Sequence, residues 1–127
     1  MVAENRQKMA LFSVEERLEM IREAVKHISN ARCFSCDSLI VDFMKRENIH
    51  VLIRGIRVSD EYSYELELSL MNKAMYSDME TVFMGTDPQY MGLRSSLIKD
   101  IASFKGDVSG MVPAIVAEEL KKKYSLL

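Results

Sequence analysis

No surplus of positive charge marks this sequence: 17 lysines and arginines stand against 19 acidic residues, for a net charge of −2. A nucleic-acid binder draws its affinity from neutralised phosphates and would carry a basic excess with interleaved aromatics. Neither is present. The single cationic cluster, Lys121 to Lys123, reads as the solvated face of a terminal helix. No apolar run approaches the roughly 20 residues that span a bilayer, and residues 1–15 hold no apolar stretch followed by a cleavage site. The expectation is a cytoplasmic protein with neither nucleic acid nor membrane as partner.

Cysteine is scarce as well. Cys33 and Cys36 form a CxxC, but His27 and His50 supply no second pair at finger or ribbon spacing, so no metal site is expected. Cys33 lies in a strand-like stretch rather than at a helix start, which argues against a redox dithiol. Both read as reduced, half-buried small apolar residues. Two phosphate signatures are also missing, GxxxxGK[ST] and GxGxxG. Any phosphate binding must rest on arginines and helix starts.

What is present is an alternation of helix and strand. Ser13-Val14-Glu15-Glu16 fits a capping box, followed by an apolar face of Val14, Leu18, Ile21, Val25 and Ile28. Ala31 to Phe34 suggests a strand, and Asp37 or Ser38 a cap for a helix with Leu39, Ile40, Phe43 and Met44 inward. Val51 to Ile53 has the continuous apolar pattern of a strand covered on both faces, broken at Gly55. A helix from Ser59 to Ala74 carries Tyr62, Leu66, Leu70 and Met71 towards a core. Glu80 to Met84 is a third strand, ended by the turn-forming Gly85-Thr86-Asp87-Pro88. A helix starting near Ser95 turns Leu97, Ile98, Ile101 and Phe104 inward, with Gly106 as its C′ residue. Pro113 opens the last helix, which bears Val116, Leu120 and Tyr124. One domain of doubly wound α/β class with a parallel sheet follows, although three strands are thin cover for so many helices.

Polar groups gather at the carboxyl end of the second strand, where open α/β sheets bind ligands. Arg54 and Arg57 flank Gly55, and their planar forks match phosphate oxygens; the competing reading pairs them with Asp60, Glu61 or Glu65 at the surface. Tyr90 to Ser96, YMGLRSS, precedes a helix whose free N–H groups could cradle an anion, against the plainer reading of an ordinary capped helix.

LIRGIR at 52–57, D-x-x-x-YE at 60–65, MN at 71–72, VFM at 82–84, SSLIK at 95–99 and GDV at 106–108 together resemble the bacterial phosphopantetheine adenylyltransferases over nearly the whole chain. The resemblance implies a Rossmann-like nucleotidyltransferase fold and a homo-oligomer, in that family a hexamer. It implies adenylyl transfer from ATP to 4′-phosphopantetheine with Mg²⁺, yielding dephospho-coenzyme A and pyrophosphate, with no metal ligand assigned to the chain.

By position, Lys8 and Arg54 match the groups at the reacting phosphates, Arg54 facing the phosphopantetheine phosphate. Gly55, Ile56 and Arg57 match the ATP-contacting turn, and Glu65 an ATP contact. Tyr90, Met91, Gly92, Leu93, Arg94, Ser95 and Ser96 match the second nucleotide loop, with Arg94 in place of a serine. Ile40 and Asn72 match substrate-contacting positions. The family's first strand and HxGH helix have no counterpart in these 127 residues. From that the expectation is a missing first strand–helix unit and little or no activity of this polypeptide alone, with a non-catalytic nucleotide or coenzyme A-binding module as the alternative.

Overall fold

The computed structural model describes residues 1–3 and 10–126. Its elements run β1 (Val2–Ala3), α1 (Val14–Val25), β2 (Ser35–Cys36), α2 (Ile40–Arg46), β3 (Val51–Ile56), α3 (Ser59–Met75), β4 (Glu80–Gly85), a 3-10 turn (Pro88–Tyr90), α4 (Ser95–Ser103) and α5 (Ala114–Ser125). The class is α/β with parallel strand pairing, as the alternation predicts. The chain divides into two compact units, 1–35 with 92–127 and 36–91.

The first unit is mainly helical. Ser13 forms the expected capping box on α1: its hydroxyl accepts the Glu16 N–H at 3.2 Å while its own N–H donates to Glu16 Oε2 at 2.7 Å. The helix ends at Val25 rather than Ile28, and Ile28 is exposed. Its core gathers Ala102, Val108, Ala117 and Leu120, with Ile98, Ile101, Val116 and Tyr124 packed around them. Phe104, read from spacing as inward, is 88% exposed instead.

Helix α4 closes with a Schellman motif in which the Lys105 N–H reaches the Ala102 carbonyl and the Gly106 N–H the Ile101 carbonyl. The left-handed residue is Lys105, at φ 61°, one place before the expected glycine. Gly106 is needed for a different reason, since a Cβ there would lie 2.6 Å from Ile101 Cγ2 and 2.9 Å from Ile101 O. Lys123 is also more than a solvated charge: it pairs with Glu16 of α1 and lies 5.5 Å from the centre of the Phe12 ring.

The second unit holds the parallel pair. β3 and β4 run in register from Val51 opposite Glu80 to Ile56 opposite Gly85. Side chains alternate along each strand, so Leu52, Arg54 and Ile56 share one face with Thr81 and Phe83, and Val51 and Ile53 share the other with Val82 and Met84. Helix α3 covers the first face, with Tyr62 edge-on to Phe83 at 5.5 Å between ring centres. The second face is open: Val51, Ile53, Val82 and Met84 are all exposed. A strand covered on both faces is therefore not what the structure has, because apolar pattern reports preference for burial and not the neighbour that provides it.

Three further expectations shift in this unit. The strand placed at Ala31 to Phe34 forms at Ser35–Cys36. Helix α2 has Leu39 at its N-cap with no side-chain cap from Asp37 or Ser38; its buried residues are Val41, Phe43 and Met44, while Leu39 is exposed and Ile40 half-buried. On α3, Tyr62, Leu66, Leu70 and Met71 are exposed, and Asn72 is the buried position. Both cysteines are free, Cys36 buried and Cys33 half-buried, as expected.

Candidate functional site

β3 runs straight through Gly55, which has no left-handed φ, so the glycine does not break the strand. Nor does crowding require it, since nothing lies within 4 Å of where a Cβ would stand. The strand ends at Ile56, whose carbonyl accepts the Thr86 N–H at 2.9 Å and so ties the carboxyl ends of β3 and β4 together. Beyond Thr86 the Asp87 side chain caps the turn that carries Tyr90, accepting the Gln89 N–H at 3.0 Å. Gly55 to Arg57 and the segment leading into Tyr90 and Met91 thus leave from one edge of one parallel pair, the edge where α/β folds hold ligands.

Both arginines are held by carboxylates of α3. Arg54 Nε donates to Glu65 Oε2 at 2.8 Å, and Arg54 Nη2 to Glu65 Oε1. Arg57 Nη2 donates to Glu61 Oε1 at 2.7 Å, and Arg57 Nε to Glu61 Oε2 at 3.5 Å. Of the expected partners, Glu65 takes Arg54 and Glu61 takes Arg57, while the Asp60 side chain lies outside those described. The Glu65 hydrogen bond raises the Arg54 pKa above its ordinary value, partly offset by burial. Each guanidinium uses its Nε–Nη2 edge on a glutamate, which leaves the donors of the Nη1–Nη2 edge for a second oxyanion; five donors in a fixed fork allow both at once. Ion pairing and phosphate binding are then compatible readings of the same residues.

Glu61 is the residue that sequence reading underrated, having entered only as one of three surface partners. A signal was available. The α3 N-cap is Val58, which has no side chain able to cap, and a glutamate at the third helical position can reach back to the unsatisfied backbone.

Of the remaining candidates, Ile40 is the first residue of α2 and half-buried, and Asn72, on α3, is the only buried polar residue among those described. Gly92, Leu93, Arg94, Ser95 and Ser96 fall in the other unit, where Arg94 is the N-cap of α4 and gives no side-chain cap. Lys8 lies outside the described residues. Among the described residues no group of three or more His, Cys, Asp or Glu gathers to hold a metal ion, and Glu61 and Glu65 are already engaged by arginine. No helix among the described residues is long and apolar enough to cross a membrane.

Comparison with known proteins identifies the family. The family model described as cytidylyltransferase-like matches residues 1–101. A phosphopantetheine adenylyltransferase of Dictyoglomus thermophilum is 44% identical over 126 residues, 99% of this chain and 77% of that protein. That of Heliobacterium modesticaldum is 44% identical over 120 residues, 94% of this chain and 71% of its own. That of Clostridium tetani is 45% identical over 119 residues, 94% and 74%. With a parallel strand pair offering two carboxylate-held arginines at its carboxyl edge, and identity of this order across nearly every residue, the chain belongs to the phosphopantetheine adenylyltransferase family of the cytidylyltransferase-like nucleotidyltransferases.

Proposed function

We propose that the reaction this chain takes part in is adenylyl transfer from ATP to 4′-phosphopantetheine, releasing pyrophosphate and dephospho-coenzyme A, in the cytoplasm and as a homo-oligomer of the family's hexameric type. The observation that carries this reading is the 42–45% identity to enzymes named for this activity over at least 94% of the chain. A phosphate oxygen of phosphopantetheine attacks the α-phosphorus of ATP, the bond from that phosphorus to the bridging oxygen breaks, and pyrophosphate leaves with the electron pair. No covalent enzyme intermediate is needed, so catalysis reduces to alignment and to stabilising spreading negative charge.

In this reading Arg54 holds the acceptor phosphate, with Lys8 at the reacting phosphates. Gly55, Ile56 and Arg57 meet ATP together with Glu65 and the loop from Tyr90 to Ser96, and Ile40 and Asn72 line the pantetheine arm. Glu65 acts at least partly through Arg54, whose guanidinium it grips. Mg²⁺ would come in on the phosphates of ATP and neutralise the charge that develops there.

A pyrophosphate-release assay on the purified chain with ATP and 4′-phosphopantetheine tests the reading. With no HxGH motif among these residues little release is expected from the chain by itself, and what there is should fall about 10²- to 10³-fold on Arg54→Ala. Calorimetric binding of ATP and coenzyme A without pyrophosphate release would establish instead a non-catalytic coenzyme-binding module, and absence of both binding and release would overturn the assignment.

A further inference from the structure

We propose that Glu61 is the positioning residue that aims Arg57, fixing which edge of its guanidinium is presented to the phosphates of ATP; this rests on the nucleotide reading above. Three contacts converge on one carboxylate. Besides the two guanidinium contacts, the Arg57 backbone N–H donates to Glu61 Oε2 at 3.3 Å. One side chain therefore clamps both ends of Arg57, the peptide and the fork. An arginine tethered only at its Cα would sample many rotamers, and binding would have to select among them. Held at Nε and Nη2, Arg57 does not use Nη1 on the Glu61 carboxylate.

The same design occurs one helical turn on. Glu65 grips Nε and Nη2 of Arg54, and positions 61 and 65 lie on one face of α3. The two pairs differ in setting. The Glu65 side chain is 14% exposed and that of Glu61 36%, so the Arg57 clamp is the more open to water. A solvated ion pair contributes little to stability by itself. The added backbone contact, at a helix start that Val58 leaves uncapped, gives Glu61 its orienting role.

Calorimetric titration of the purified chain with ATP, and separately with adenosine, tests this on Glu61→Gln, Glu61→Asp, Arg57→Ala and the Glu61→Gln/Arg57→Ala double variant. Glutamine keeps the length and one acceptor for the backbone N–H, but cannot accept from the fork with two charged oxygens. The expected result is an ATP affinity about tenfold weaker in Glu61→Gln, partly restored in Glu61→Asp, with adenosine binding unchanged and no added loss in the double variant beyond Arg57→Ala. A role confined to capping α3 would weaken ATP and adenosine alike, and would overturn the proposal. Tighter ATP binding in Glu61→Gln would overturn it too, since Glu61 would then compete with the nucleotide for Arg57. If the unaltered chain bound no ATP, the nucleotide reading would fall and this inference with it. Binding by the unaltered chain that Glu61→Gln left intact would remove the inference alone.

Discussion

Lys123 Nζ lies 2.9 Å from Glu16 Oε1, joining the last helix of the chain to the first turn of α1 across 107 residues. The same carboxylate accepts the Ser13 N–H, so one side chain serves both the capping box and the interhelical pair. The lysine hydrogen bond, then that of the Ser13 N–H, holds the Glu16 carboxyl below its ordinary pKa of 4.5.

Because the folded pKa is depressed, the stabilisation is fully present above the unfolded value and disappears as pH falls through the folded one. Urea unfolding of the native protein and of Glu16→Gln should therefore differ clearly at pH 7, and the two midpoints should converge below pH 4.5. Midpoints that stayed equally far apart at both ends would show that the carboxylate's charge is not the source.

The end of α4 predicts two opposite effects from neighbouring residues. Lys105 occupies left-handed backbone, which costs an L-residue about 1–2 kcal/mol, so Lys105→Gly should be stabilising by up to about 1 kcal/mol after the glycine's own entropy is counted. Gly106→Ala should destabilise by about 1–3 kcal/mol, because its methyl group meets the Ile101 carbonyl as well as a β-branched side chain fixed in a helix. Chemical denaturation of the two variants reads both signs directly.

Burial separates two phenylalanines that look alike in sequence. Phe43 is 2% exposed, and Phe43→Ala should cost about 3–5 kcal/mol. Phe104 is 88% exposed, and Phe104→Ala should change stability by no more than about 0.5 kcal/mol.

Gly55→Ala distinguishes folding from ligand approach. With ordinary φ and open space around the new methyl, the folded chain should be unharmed, or stabilised by about 0.4–1 kcal/mol. If a nucleotide packs against this backbone, ATP affinity should fall while the unfolding midpoint holds or rises. Unchanged affinity would place the ligand away from Gly55.

Local signals in the sequence carried furthest. The Ser13–Glu16 box, the strand at Val51, the long helix after Ser59 and the turn at Gly85 to Pro88 each depend on residues a few places apart, and each formed. The arginines and their glutamates could be named from spacing, but which glutamate takes which arginine came only from the fold. What stayed hidden depended on distant neighbours. Nothing near Lys123 points to Glu16, and nothing in the apolar run at Val51 says that one side would be left uncovered. The Schellman residue was missed for a subtler reason: glycine is the usual left-handed residue, yet here the close approach at position 106 had the stronger claim on it.

The bare side of the β3–β4 ribbon should make the protein prone to associate with itself. Val51, Ile53, Val82 and Met84 leave four hydrocarbon groups wet on one small surface, and water gains freedom whenever two such surfaces meet. Kosmotropic salts strengthen that drive while weakening charge pairing, so sulfate should bring on turbidity that dilution reverses. A lysine at position 53 should keep the solution clear.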